Sequence, residues 1–323
     1  MTNKQIYRKT LTFSLRKLFI DLIALVAVGA FATLGFVLMD RYNSEGLVGL
    51  LIGLIVGMII IAIIMHFIGY TYKAGQIAMM TKGVTEGTLP DHVYREGKKA
   101  VKERFGTVAV FYLVTNAIRS IFNALARGIN ALGKAVGGER GGQVADAVNS
   151  AIQVVIGFLC DCCLGWVFYR KEVSAAKATC EGAVIFFKHG KTLIKNVGRI
   201  FGMGLLSLLL IGGALFGVGY FIFLQFPQTF ELLAGEISQM DISTDAQIAQ
   251  YLQDPKTLTI IAAAVIAVII WSFIHSTFVR PFILVGVLRN FTAEGIKDIP
   301  TEESFSVLDG KSAKLAKLRA SDY

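Results

Sequence analysis

The 323-residue chain is 54% hydrophobic, with a mean hydropathy of +0.60, and carries 32 Lys and Arg against 23 Asp and Glu, a formal net charge of +9. So much apolar side chain excludes an ordinary soluble domain, and its gathering into long runs predicts an all-α, polytopic integral membrane protein. The charge alone would admit a nucleic-acid partner; the placement of the bases argues against one.

Apolar runs near 18–39, 47–70, 107–127, 151–170, 200–225 and 258–288 predict six spanning helices. Lys4, Arg8, Lys9, Arg16 and Lys17 precede the first, and Asp21 stands near its start. Ala30-Phe31-Ala32 resembles a signal-peptidase site, but the run continues to Met39, so the segment reads as a retained helix. Gly49, Gly53 and Gly57, at spacing four in span two, predict close helix approach, within the chain rather than to a second copy. His66 lies in the same span. Bases then cluster after span two (Lys73, Lys82, Arg95, Lys98, Lys99, Lys102, Arg104), after span four (Arg170 to Arg199) and after span six (Arg289 to Arg319). The remaining loops are poor in bases, and the long one, Phe226–Lys256, carries Glu231, Glu236, Asp241, Asp245 and Asp254. That alternation places both termini in the cytoplasm of a plasma or bacterial inner membrane, with the surplus charge toward anionic lipid.

Spans three and four read as a helical hairpin turning at Gly137-Gly138-Glu139-Arg140-Gly141-Gly142. Asn116, Arg119, Asn123, Arg127, Asn130 and Lys134 share one helix face, and Asp146, Asn149, Gln153 and Asp161 form a second stripe. Folded at the glycines, the stripes match rung by rung, Lys134 with Asp146 and Arg119 with Asp161. A helix of roughly 30 residues is roughly 45 Å long against a hydrocarbon core of about 30 Å, so the tip protrudes and Arg119 and Asp161 are expected within the membrane. There the pair either holds the hairpin together or marks a solute pathway.

A repeat runs through the chain over 8–87, 97–182 and 190–295, leaving 296–323 as a cytoplasmic tail to a single membrane domain. Each unit opens on a basic lead-in (Arg8-Lys9-Thr10-Leu11, Gly97-Lys98-Lys99-Ala100, Gly190-Lys191-Thr192-Leu193) and closes on Glu86-Gly87, Glu181-Gly182 or Glu294-Gly295. The closing glycine reads as a helix stop. The lead-ins read as amphipathic helices on the inner membrane surface, Lys98, Lys99 and Lys191 toward headgroups and Val101 toward acyl chains; solvated linkers are the alternative. The expected architecture is three tandem helical hairpins.

His275 and Arg280 lie in span six at a depth where Asp21 could pair with Arg280, and Pro281 is expected to kink the helix. The histidines are either hydrogen-bonded packing residues or a proton relay. Trp166 and Trp271 read as interface anchors. Cys160, Cys162, Cys163 and Cys180 lack the spacing of a metal frame and read as packing residues, with S-acylation the minor alternative. Span five carries Gly213 and Gly217, where a homo-oligomer contact is the minor reading. No His-Glu-x-x-His, phosphate loop or serine elbow is present, so neither an enzyme nor a cofactor is expected.

Ala117-Ile118-Arg119, Cys162-Cys163, Asn196-Val197-Gly198-Arg199-Ile200 before a span, and a last span ending near Arg289-Asn290 and Glu294-Gly295 give residues 106–311 an order of features that resembles the choline transporter-like family. The resemblance implies a choline-like substrate. The chain departs from that family in having fewer spans, no large outer domain, and Arg280 in the last span. The expected function is membrane transport of a small cationic solute or lipid headgroup, with Asp161 as counter-charge and Arg119 as its gate. The alternative is a scaffold that binds anionic lipid or a membrane protein partner through its lead-ins.

Overall fold

The computed structural model describes the backbone of residues 1–43, 46–106, 110, 112, 114–120, 141–239, 251, 253–301 and 303–305, and their side chains except at 43, 47, 65–67, 141–152, 187, 190–197 and 236–239. Among these residues all regular structure is helical: α1 (Asn3–Asn43), α2 (Gly46–Thr85), α3 (Val93–Phe105), α4 (Gly141–Tyr169), α5 (Ala175–Ser207), α6 (Gly213–Phe223), α7 (Pro227–Gln239), α8 (Pro255–Ile274) and α9 (Arg280–Lys297). Residues 114–120 are helical too, and π-turns stand at Leu208–Gly212 and His275–Val279. Asn3–Tyr42, Gly198–Phe223 and Pro255–Lys297 are long and apolar enough to cross a membrane, and Val48–Ile64 with Ile68–Thr85, bent by 42°, would make a fourth span. Gln153–Tyr169 is a shorter apolar helix. Most of the third expected span lies outside the described residues.

The chain divides into two compact units, Met1–Gly198 with Pro281–Tyr323, and Arg199–Arg280. In the first, α1 has 41 residues, about 60 Å at 1.5 Å per residue and about twice a hydrocarbon core, so one end must leave the lipid. It is the N-terminal end: Ile6, Thr10, Phe13 and Ser14 are buried in protein, whereas Phe19, Leu22, Val26 and Leu34 are more than half exposed. Helix α2 divides in the same way, with Leu51, Ile55 and Ile59 exposed and Ala74, Ile77 and Met80 buried. Exposed apolar surface on this scale is that of a lipid-facing helix pair. The first lead-in is therefore continuous with its span and is not a separate surface helix.

The two helices cross on their glycines. A Cβ on Gly49 would stand 2.2 Å from the Gly35 carbonyl oxygen, one on Gly35 2.1 Å from that of Gly49, and one on Gly53 2.3 Å from that of Phe31. The spacing-four ridge thus serves contact within the chain, as expected. Gly213 and Gly217 of span five have nothing within 4 Å of a built Cβ.

The Glu-Gly ends differ from one another. Gly87 has φ +71° and ends α2, as read from the sequence. Gly182 and Gly295 lie inside α5 and α9 and are packing notches: a Cβ on Gly182 would stand 2.3 Å from the Cys163 Sγ, and one on Gly295 2.6 Å from Trp166 and from Ile185. The helix that carries Gly182 bends later, at His189, whose backbone (φ −109°, ψ 16°) leaves the helical region. The N-terminus is tied down between two of these ends, for Arg289 donates to the Asn3 side chain at 2.6 Å and to the Met1 carbonyl at 2.7 Å, and the Met1 amine to the Gly87 carbonyl at 3.5 Å.

Helix α3 is amphipathic, but its apolar stripe (Val93, Gly97, Val101, Phe105) is buried in protein rather than in acyl chains. Gly97 permits it, since its Cβ would meet Phe13 at 2.5 Å and the Gly75 carbonyl oxygen at 2.8 Å. The helix stops at Gly106, φ +61°.

In the second unit α8 is capped by Asp254, whose carboxylate accepts from the Thr257 amide at 3.0 Å and hydroxyl at 2.6 Å. Those bonds hold its pKa below the ordinary carboxylate value. Pro281 cannot donate to the Thr277 carbonyl, and the π-turn His275–Val279 ends directly before Arg280-Pro281, so the sequence's expected kink is taken up as a π-turn within one continuous apolar segment.

Gly49→Leu is expected to destabilise the α1–α2 pair by roughly 1–3 kcal/mol or more, since the contact is backbone and cannot yield, while Gly29→Leu, with nothing within 4 Å, is expected to be neutral; thermal unfolding in detergent compares them. For Asp254 the folded pKa is the lower one, so its contribution is present above the unfolded carboxylate pKa and is lost as pH falls through the folded value. Hydrogen-exchange protection factors over residues 256–258, corrected for the intrinsic pH dependence of exchange, should fall on acidification in the wild type and show no such pH step in Asp254→Asn.

Candidate functional site

A cavity of about 340 Å³ in the first unit is lined by Lys17, Gly69, Tyr70, Lys73, Tyr112, Thr115, Asn116, Ile118, Arg119, Cys160, Asp161 and Leu164. It gathers α1, α2, α4 and the helical residues 114–120. The two residues that the sequence paired, Arg119 and Asp161, both stand on its wall. Their partners differ from the expected ones. Asp161, 2% exposed, takes Lys73 Nζ at 2.6 Å. Arg119 is exposed to the cavity side of its helix, whose Ile118 is buried, and forms no ion pair among the described residues.

Depth follows from the exposed apolar belt. On α2 the exposed large apolar residues end at Ile68, and on α1 they begin at Leu15 and Phe19. Tyr70 and Lys73 lie two and five residues past Ile68, about 3 and about 8 Å along the axis. The cavity therefore sits at the edge of the belt, where a lysine can keep its ammonium in water. Lys73 is half exposed while its carboxylate partner is buried.

Asp21 pairs with Lys17, one turn back on α1; Arg280, the partner read from the sequence, belongs to the second unit. The Lys-x-x-x-Asp spacing made that pair readable. Lys73 was legible only as one base among several after span two; nothing in its spacing points to Asp161.

A second buried carboxylate went unread. Glu181 is fully buried and accepts from Arg170 Nε at 2.8 Å and Nη2 at 3.1 Å, and from Trp166 Nε1 at 2.9 Å. Trp166 is accordingly a core residue and not an interface anchor. Arg104 reaches from α3 to the same turn and donates to the Val173 and Arg170 carbonyls at 2.9 and 3.0 Å. Burial lowers the Arg104 pKa from its ordinary value, against the opposing pull of Glu172 and Glu181. All its described partners are backbone or packing groups, so this cluster fastens α3 to the α4–α5 turn.

In the second unit His275 Nδ1 lies 3.0 Å from Ser207 Oγ, which also accepts from Trp271 Nε1 at 3.2 Å, and the Trp271 and His275 rings are 5.1 Å apart. That environment is the packing alternative for His275. Cys162, Cys163 and Cys180 are buried, which leaves no thiol there for acylation. Among the described residues no group of three His, Cys, Asp or Glu could hold a metal. Asn123 and the side chains of His66 and Lys191 lie outside the described residues, as do the outer rungs Arg127, Asn130, Lys134, Asp146 and Asn149.

Comparison with family models, with curated proteins and with solved structures finds no match.

Lys73→Met strands a buried carboxylate and is expected to cost about 3–5 kcal/mol. Lys73→Met combined with Asp161→Leu should cost less than the sum of the two single changes, and a thermal-unfolding cycle on the four proteins measures the coupling.

Proposed function

We propose that the protein is a membrane transport protein that admits a small anionic or zwitterionic solute, or a lipid headgroup of that charge, to the cavity beside Lys73 and Asp161. The observation that carries this reading is a cavity reaching a buried, membrane-edge carboxylate that already has its cation. The sequence-based expectation of a cationic substrate rested on Asp161 as counter-charge with Arg119 as its gate, and on the family resemblance. With Lys73 on Asp161 and Lys17 on Asp21, the remaining charge on the wall among the described residues is Arg119. A guanidinium beside Asn116, Thr115 and two tyrosines is a donor set suited to phosphate or carboxylate.

The finer architecture proposed with it is six spans in three tandem hairpins, both termini cytoplasmic, in a plasma or bacterial inner membrane. Three same-direction hairpins are not the paired inverted repeats of many transporters, so the alternative is a non-transporting scaffold that acts through its basic lead-ins.

Uptake of choline, phosphocholine and glycerol 3-phosphate into proteoliposomes separates these. Wild-type protein should carry the phosphate-bearing solutes in preference to choline, and Arg119→Gln should lower that flux at least tenfold with the melting temperature unchanged. Preference for choline would overturn the charge assignment. Absence of flux for all three in folded, reconstituted protein would favour the scaffold.

A further inference from the structure

A second and larger cavity, about 600 Å³, opens beside the first and shares Tyr70 with it. Its walls are Tyr70 and Thr71 of α2 and Tyr94, Arg95, Lys98, Lys99, Val101, Lys102 and Phe105 of α3, ending at Gly106. Among the described residues, four side chains on this wall are cationic and none is acidic. Arg95, Lys98 and Lys102 follow one stripe of α3 at spacings of three and four, are exposed, and form no ion pair among the described residues; Lys99 has a loose exposed contact with Glu103 at 3.8 Å. The floor is aromatic and aliphatic, from Tyr70, Tyr94, Val101 and Phe105.

Four like charges around an apolar floor repel one another and gain by sharing an anion. The position says which anion. Tyr70 comes two residues after Ile68, the last exposed apolar residue of the α2 belt, so the groove begins where that belt ends. A soluble anion would use the bases and leave the floor and the neighbouring belt bare. A phospholipid uses both, its phosphate among the lysines and its glycerol and upper acyl carbons against the floor and Ile68.

From this we infer that the α2–α3 groove is a binding site for one anionic glycerophospholipid, with Lys98, Lys102 and Arg95 on the phosphodiester. It differs from the general lipid contact read from the sequence. There the apolar face of the lead-in lies in acyl chains; here that face is spent on Phe13 and Gly75, and the basic stripe overhangs a discrete pocket. The site does not depend on the transport reading, since none of its cations lines the cavity at Asp161.

Native mass spectrometry of the full chain in detergent, with phosphatidylglycerol or phosphatidylcholine added, tests it. Wild-type protein should retain one phosphatidylglycerol in preference to phosphatidylcholine. Lys98→Gln with Lys102→Gln should weaken retention at least tenfold, because each base near a phosphate contributes comparably. Lys98→Arg with Lys102→Arg should preserve it. Lys4→Gln with Arg8→Gln removes the same charge from the exposed N-terminal turns and should leave retention unchanged. Equal loss in that control, or no loss in Lys98→Gln with Lys102→Gln, overturns the site. So does competition by soluble glycerol 3-phosphate at concentrations matching the lipid, which would make the groove a site for free phosphate. A melting temperature for each variant, equal to the wild type, keeps the loss of lipid distinct from loss of fold.

Discussion

Helix α4 cannot be buried without neutralising the carboxylate it brings with it, and Lys73 of α2 supplies the charge. An isolated carboxylate in a low-dielectric interior is costly by several kcal/mol even after relaxation, and Asp161 is almost fully enclosed. The ion pair therefore fixes more than one distance. It sets the height of α4 against α2, and with it the height of Cys160 and Leu164 on the cavity wall. Further along α4, Gly165 accepts Leu288 and Thr81 in a notch where a Cβ would stand 2.5 and 2.9 Å from them. A slide of one residue along α4 would break the ion pair and drive a side chain into that notch together.

The same arrangement recurs at Glu181, with the roles of the elements exchanged. There the carboxylate belongs to α5 and both donors, Trp166 and Arg170, to the end of α4 and the turn that follows. Arg104 holds that turn by its carbonyls. Two buried acids are thus each satisfied from a neighbouring element, in a unit that also holds the close glycine contacts at Gly165, Gly182 and Gly295. Close packing and charge pairing reinforce each other: the glycines bring backbones near enough for short polar side chains to meet, and the ion pairs reject every other register.

How much of this could be read from the chain depends on whether the signal is local. The α1–α2 crossing was legible because Gly49, Gly53 and Gly57 repeat at the helical period, and a membrane-spanning class followed from the apolar runs. The Glu-Gly ends show the opposite case. Gly87, Gly182 and Gly295 look alike in sequence, yet only Gly87 adopts positive φ; at the other two a neighbouring helix, invisible in the local pattern, needs the missing Cβ. Arg119 and Asp161, read from the hairpin register as facing partners, line one cavity, though Asp161 takes Lys73 as its cation. The cation on Asp161 was missed because Lys73 reaches it from 88 positions away in sequence, with no periodicity to connect them.

On the proposed transport reading, the pairing bears on which charge the cavity favours. A cation approaching Asp161 must displace Lys73 or sit beside it and Arg119. At 4 Å and an effective dielectric near 20, a single like charge costs about 4 kcal/mol, close to the whole binding free energy of a millimolar ligand. An anion meets no such opposition: Asp161 is screened by its lysine, and the guanidinium of Arg119 turns toward the same space. Among the described residues the neighbouring groove carries four bases and no acid, and the two cavities share Tyr70.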